Sequence, residues 1–138
     1  MNPESTILRT VARFAVPLTI LASILVFFQG HNLPGGGFIG GVLAAAAGAT
    51  YLLAFGIERA GAVAWWRLAV VGLAISLASG IVPWVLESGF LNHALWHFDV
   101  PLLGEIHFSS ATFFDLGVYL IVVGTLMTIF VELGLEAR

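Results

Sequence analysis

Few residues of this chain could do chemistry, and Asp115 is first among them. It stands in Phe113-Phe114-Asp115-Leu116-Gly117-Val118-Tyr119, where a long apolar run begins. A charged group at membrane depth costs roughly 2.5–3.5 kcal/mol on insertion scales, so such a group commonly marks an ion or proton pathway. Tyr119 follows one helical turn later, on the same face. Read as chemistry, Asp115 is an acceptor for a cation or proton near the outer mouth of a span. Read as structure, Thr112 is a helix N-cap and Asp115 closes a capping box three residues on, at the positive end of the helix dipole. The local pattern allows both.

His31 is the second candidate, in Gly30-His31-Asn32-Leu33-Pro34-Gly35-Gly36-Gly37-Phe38-Ile39-Gly40-Gly41. Histidine changes charge near neutral pH, which suits a sensor or a relay. The plainer reading is a hydrogen bond to loop backbone that fixes a turn. Asn32 can stabilise that turn, and Pro34 suits the first turn of a helix. Gly35-Gly36-Gly37 could form an anion-binding nest at the start of that helix. His93, His97 and His107 share a later segment with Asp99 and Glu105. His93 and His97 would share a helix face, as zinc ligands can. No HExxH pattern, P-loop, dinucleotide fingerprint or nucleophile–base set accompanies them. No metal, cofactor or catalytic residue is therefore expected, and the chain does not read as an enzyme.

The elements that carry these residues are membrane spans. Of the 138 residues, 59% are hydrophobic and 9% charged, against about 25% charged in soluble domains; mean hydropathy is +1.03. A span needs about 20 mostly apolar residues. Four segments qualify, at about 7–29, 38–57, 68–86 and 111–131, giving one membrane domain over 1–138. The runs are continuous rather than alternating, which argues for an all-α membrane protein and against a barrel. There is no cysteine and no lysine. No basic patch suits nucleic acid. Arg9 and Arg13 read as preceding the first span, Arg59 and Arg67 lie between the second and third, and Arg138 ends the chain. Positive residues collect on the cytoplasmic side, so both termini are expected there. The glycine joint and the long 88–110 loop between spans three and four then face outward. That loop is apolar enough to read as lying in the outer interface, partly buried against another protein, and its Asp99 side reads irregular.

Small residues recur at helical spacing. Gly37, Gly41, Ala44 and Gly48 do so in the second span, and Gly72, Ser76, Ser79 and Pro83 in the third. Thr19, Ser23, Val26 and Gly30 do so in the first. Such faces let membrane helices approach closely, and predict a four-helix bundle. The middle of the spans has no series of ionisable groups. A side-chain proton relay needs one, so ion transport by this chain alone is not expected.

The glycine-rich segment Gly30–Gly41 resembles the signature of the B subunit of Mrp-type (Mnh-type) multisubunit Na⁺/H⁺ antiporters. The segment Phe114-Asp115-Leu116-Gly117-Val118-Tyr119-Leu120 resembles that family's second motif, and length and span number also match. The resemblance implies a bacterial inner-membrane complex in which this small subunit sits among subunits A, C, D, E, F and G, nearest to A and C. Its implied role is in assembly, with shaping of an outer ion path as a further part. The implied transport drives Na⁺ out with entering protons. On that basis His31, Asn32, Pro34, Gly35, Gly36, Gly37, Phe38, Gly41, Asp115 and Tyr119 are the candidate motif residues. The alternatives are the equivalent subunit of a membrane-bound hydrogenase-type complex, or a stand-alone homo-oligomeric carrier.

Overall fold

The fold follows from where glycine lets helices touch. In a computed structural model, residues 3–29, 35–85, 96–100, 104–108 and 110–137 are described. Helix α1 spans Pro3–Gln29 and α2 spans Gly36–Phe55. A short α3, Glu58–Gly61, leads to α4, Trp65–Val85. Strands β1, Trp96–Val100, and β2, Gly104–Phe108, precede α5, Ser110–Glu136. Helices α1, α2, α4 and α5 are each long and apolar enough to cross a membrane.

Several boundaries differ from the sequence reading for identifiable reasons. Helix α1 starts at Pro3, so Arg9 and Arg13 lie within it rather than before it. Proline fits the first helical position because its missing N–H is unpaired there anyway. Helix α2 stops at Phe55 because Gly56 takes φ 96°, and its N–H closes on the Leu52 carbonyl at 2.9 Å. A glycine of positive φ just past the last turn is a common helix stop. Part of the 88–110 loop is not irregular. β1 and β2 form an antiparallel ribbon whose register sets His97 opposite His107 and Asp99 opposite Glu105. The alternation Trp-His-Phe-Asp-Val is the period-two signal for such a strand. His97 is thus on a strand and shares no helix face with His93, which lies outside the described residues.

The long helices stand in a row, α1–α2–α5–α4, rather than in a closed bundle. α2 packs on both α1 and α5, and α4 packs on α5. The buried share of each spanning window reflects this, at 33% for α2 and 22% for α5 but 17% for α4 and 11% for α1. The small-residue faces act as expected, but each joins one neighbour instead of converging on a common centre. Gly37, Gly41 and Gly48 of α2 meet α5, while Gly72 and Ser76 of α4 meet Gly117. At the end carrying the chain termini, Leu52, Ala60, Met127 and Val131 form a small core with Ile57, Trp65 and Val123 packed on it. Trp65 Nε1 donates to the Ala60 carbonyl at 3.1 Å there. Outward faces stay apolar and exposed, as at Phe14, Leu53 and Val85.

Candidate functional site

The two segments that carry the sequence resemblance are the two sides of one contact. Gly35 caps α2 at φ 94° and ψ 10°, a left-handed conformation that disfavours any side chain. Its carbonyl accepts the Ile39 N–H at 3.0 Å, so the first turn closes at once. Gly36 and Gly37 behind it are buried. The Asp115 backbone lies directly on Gly37, where a Cβ would overlap the Asp115 carbonyl oxygen. One turn deeper, a Cβ on Gly41 would meet Val122 Cβ at 2.9 Å and the Tyr119 carbonyl at 3.1 Å. Glycine at these positions lets two helix backbones touch, the packing mode that membrane helices rely on.

A hydrogen-bonded clasp ties this contact to α1. Ser23 is fully buried and donates to the Gly40 carbonyl at 2.7 Å. Ser23 Oγ also lies 2.8 Å from Tyr119 Oη. A serine hydroxyl has one proton. With that proton on the Gly40 carbonyl, Tyr119 is the donor to Ser23. The order is therefore Tyr119 on α5, Ser23 on α1, Gly40 on α2. Phe27 supports the ring of Tyr119 edge-on, with centroids 5.6 Å apart. Elsewhere α1 barely meets α5, so this clasp and the Phe27 contact are where it does. The chain of hydroxyls is neutral and ends on a helix carbonyl, so it suits holding three helices more than moving charge.

The remaining candidates divide. Asp115 is half-buried, and its main chain makes the contact with Gly37. α5 begins at Ser110, which puts Thr112 inside the first turn rather than at the N-cap. Phe38 is 57% exposed and takes no part in the clasp. His31, Asn32 and Pro34 lie outside the described residues. Among the described residues no group of three or more metal-ligating side chains comes together.

Sequence reasoning treated Ser23 only as a small packing residue and missed its hydroxyl as the centre of the clasp. Its place on the small face of α1 was the available signal. It also missed Gly117 and Gly124 as docking points for α4. A Cβ on Gly124 would sit 2.5 Å from Ala69 N, and Ser76 Oγ reaches the Phe114 carbonyl at 3.3 Å.

Four spans in an open row, joined by glycine contacts and one hydroxyl clasp, define a small multi-pass membrane protein built for lateral packing. The chain belongs to the MnhB family: residues 7–128 match the family described as "Domain related to MnhB subunit of Na+/H+ antiporter". It is similar to the B subunit of the Na⁺/H⁺ antiporter of Bacillus subtilis (strain 168), 37% identical with 99% of each chain covered. It is also similar to the putative antiporter subunit mnhB2 of Staphylococcus haemolyticus (strain JCSC1435), 38% identical with 97% of each covered. Among solved structures it is similar to a chain of the Mrp complex from Dietzia sp. DQ12-45-1b, with TM-score 0.78 and 34% identity. That match takes in 95% of this chain and 14% of the Dietzia chain, so the fold occupies only a small part of that polypeptide.

Proposed function

We propose that this protein is a small integral subunit of a multisubunit Na⁺/H⁺ antiporter of the Mrp type, in a bacterial inner membrane with both termini cytoplasmic. The observation that carries the reading is the match of nearly the whole chain to B subunits of such antiporters, and the open row accords with it. α1 and α4 each pack on one neighbour, and most of their apolar surface stays uncovered. In such an assembly other membrane subunits, A and C foremost, flank these helices. The membrane-spanning helices contain no series of ionisable groups at depth, so Na⁺ and H⁺ cross elsewhere in the complex. The chain's part is to hold a fixed surface against that path. The Gly37–Asp115 contact and the Tyr119–Ser23–Gly40 clasp make the surface rigid at the glycine-joint end. We take the Asp115 carboxylate, one turn from Tyr119, as the group of this subunit that faces an ion near the outer mouth. The distribution of arginines supports the orientation.

Purification in mild detergent, with identification of the co-purifying chains, tests this. Large antiporter-type membrane subunits are expected. Hydrogenase subunits with iron–sulfur proteins would move the chain to a redox-linked complex. Recovery as a homo-oligomer alone, exchanging Na⁺ for H⁺ in vesicles, would overturn the subunit reading. Labelling of cysteines placed at Ser5 and at the exposed Phe38, from either side of the membrane, tests the orientation.

A further inference from the structure

A groove of about 1280 Å³ runs along one side of the row, between α1 and α5 with α2 as its floor. Its walls are bulky and apolar, with Val16 and Ile20 on α1, Leu52 on α2, and Val123 and Met127 on α5. Tyr119, part of the clasp, closes it toward the glycine-joint end. Polarity appears at the other end, where Arg9 and Trp65 line the rim. The groove is thus mainly apolar along its length, with a charged mouth where Glu58 and Arg9 both line it.

Arginine placement sharpens this. Arg9 Nε donates to the Ala54 carbonyl at 3.1 Å, and Ser23 donates to the Gly40 carbonyl. Each pair of anchors is 14 residues apart on its own helix (23 − 9 and 54 − 40), so α1 and α2 run in step. Arg13 therefore stands level with Thr50, five residues inside the Phe55 end of α2, or about 7 Å at 1.5 Å per residue. At 100° per residue Arg13 lies within about 40° of Arg9 and about 20° of Ile20, on the groove side of α1. It is exposed and makes no hydrogen bond or ion pair with the described residues. A guanidinium at that depth needs an anion, and its long stem reaches back toward the headgroup level. Glu58 is on the same rim and offsets Arg9; Arg13, just outside the lining on the same side of α1, adds the cation that tips the balance.

We propose that this groove holds an anionic phospholipid of the leaflet nearest the chain termini. Its phosphate sits between Arg9 and Arg13, and an acyl chain lies along Val16, Ile20 and Met127. Basic pockets between membrane helices take such headgroups. The floor carries the small residues Ala44 and Gly48, which suit a helix as well, but the exposed Arg13 guanidinium calls for an anion rather than an apolar face. The site goes beyond the antiporter reading and holds whichever complex the chain joins.

The test uses the purified, delipidated assembly, titrated with phosphatidylglycerol and separately with phosphatidylcholine. Retained lipid is counted by native mass spectrometry. Phosphatidylglycerol should bind preferentially. R13Q should weaken it about fivefold, and R9Q/R13Q about 30-fold, with R9K/R13K restoring most of the loss. Ile20→Trp, which fills the groove and leaves both arginines, should reduce both lipids. Equal affinity for the two lipids would overturn the proposal. So would unchanged phosphatidylglycerol binding in R13Q and Ile20→Trp assemblies of normal subunit composition. Cross-linking of Ile20→Cys to another subunit in intact membranes would replace the lipid with a helix and overturn it too.

Discussion

Replacing Gly37 by alanine should separate α2 from α5. The added Cβ would fall on the Asp115 backbone carbonyl, which belongs to a helix and cannot rotate away. Overpacking a close contact costs roughly 1–3 kcal/mol, and a backbone-on-backbone clash belongs at the upper end. Alanine returns up to about 1 kcal/mol through helix propensity. The net loss is then about 2 kcal/mol, or about 30-fold in the docking equilibrium. Gly48→Ala is the matched control on the same face. Its Cβ would approach Met127 Sδ at 2.5 Å and Cε at 3.0 Å, the end of a flexible side chain. Methionine adapts readily to such intrusion, and the propensity gain is the same. Gly48→Ala should therefore be close to neutral. Both variants should be unfolded in mixed detergent–SDS micelles, and the recovery of the subunit in the assembled complex measured on native gels. The reasoning fails if Gly37→Ala matches wild type in both assays, or if Gly48→Ala costs as much as Gly37→Ala.

The clasp gives an asymmetric pair. Tyr119→Phe removes one donor while Ser23 keeps its bond to Gly40, a loss of about 0.5–1.5 kcal/mol; Ser23→Ala strands the Tyr119 hydroxyl against apolar neighbours at about 1–3 kcal/mol. The double variant should be no worse than Ser23→Ala alone, and additive losses in the unfolding midpoint would refute the clasp. Gly117→Ala should displace α4 by driving a methyl into Ser76 and the Gly72 carbonyl, read as a lost disulfide between cysteines placed on α4 and α5. Ser76→Ala, which gives up only a 3.3 Å bond to the Phe114 carbonyl, should keep that cross-link. Asp115→Asn should keep the Gly37 contact, which Asp115 makes through its main chain, and should slow Na⁺/H⁺ exchange in vesicles. Unchanged exchange would remove Asp115 from the ion path.

The spans were legible in the sequence because hydropathy over twenty residues is a strong signal, and the helix faces because glycine and serine recur at helical spacing. What periodicity could not say was which face meets which helix. Gly37, Gly41, Ala44 and Gly48 look the same whether four helices converge or stand in a row. The row is decided by pairings distant in sequence, Gly37 with Asp115 and Gly72 with Gly117. Ser23 stayed hidden for the same reason, since a lone serine on a small face reads as a spacer until Tyr119 is brought 96 residues back to it. The ribbon is a different case. Its alternation of His97, Asp99, Glu105 and His107 with apolar residues was readable, but the apolar content of the loop drew the reading toward an interfacial segment.

Exposed apolar surface does not by itself call for a protein neighbour inside a membrane, because lipid is as apolar as leucine. What distinguishes the helices is how each is held. α2 and α5 touch through main chain at Gly37, and at Gly41 through the Tyr119 carbonyl and the stiff side chain of Val122. α1 is held along one edge, by Ser23 at one end and Arg9 at the other. α4 is held along one edge by Gly72, Ser76 and Gly124. A rigid central pair with two wings, each fixed on one side, can present the same central surface to a neighbour while its wings settle against different surroundings. The glycines therefore set the shape this subunit offers. A substitution on the wings' outer faces should be tolerated where the same change between α2 and α5 is not.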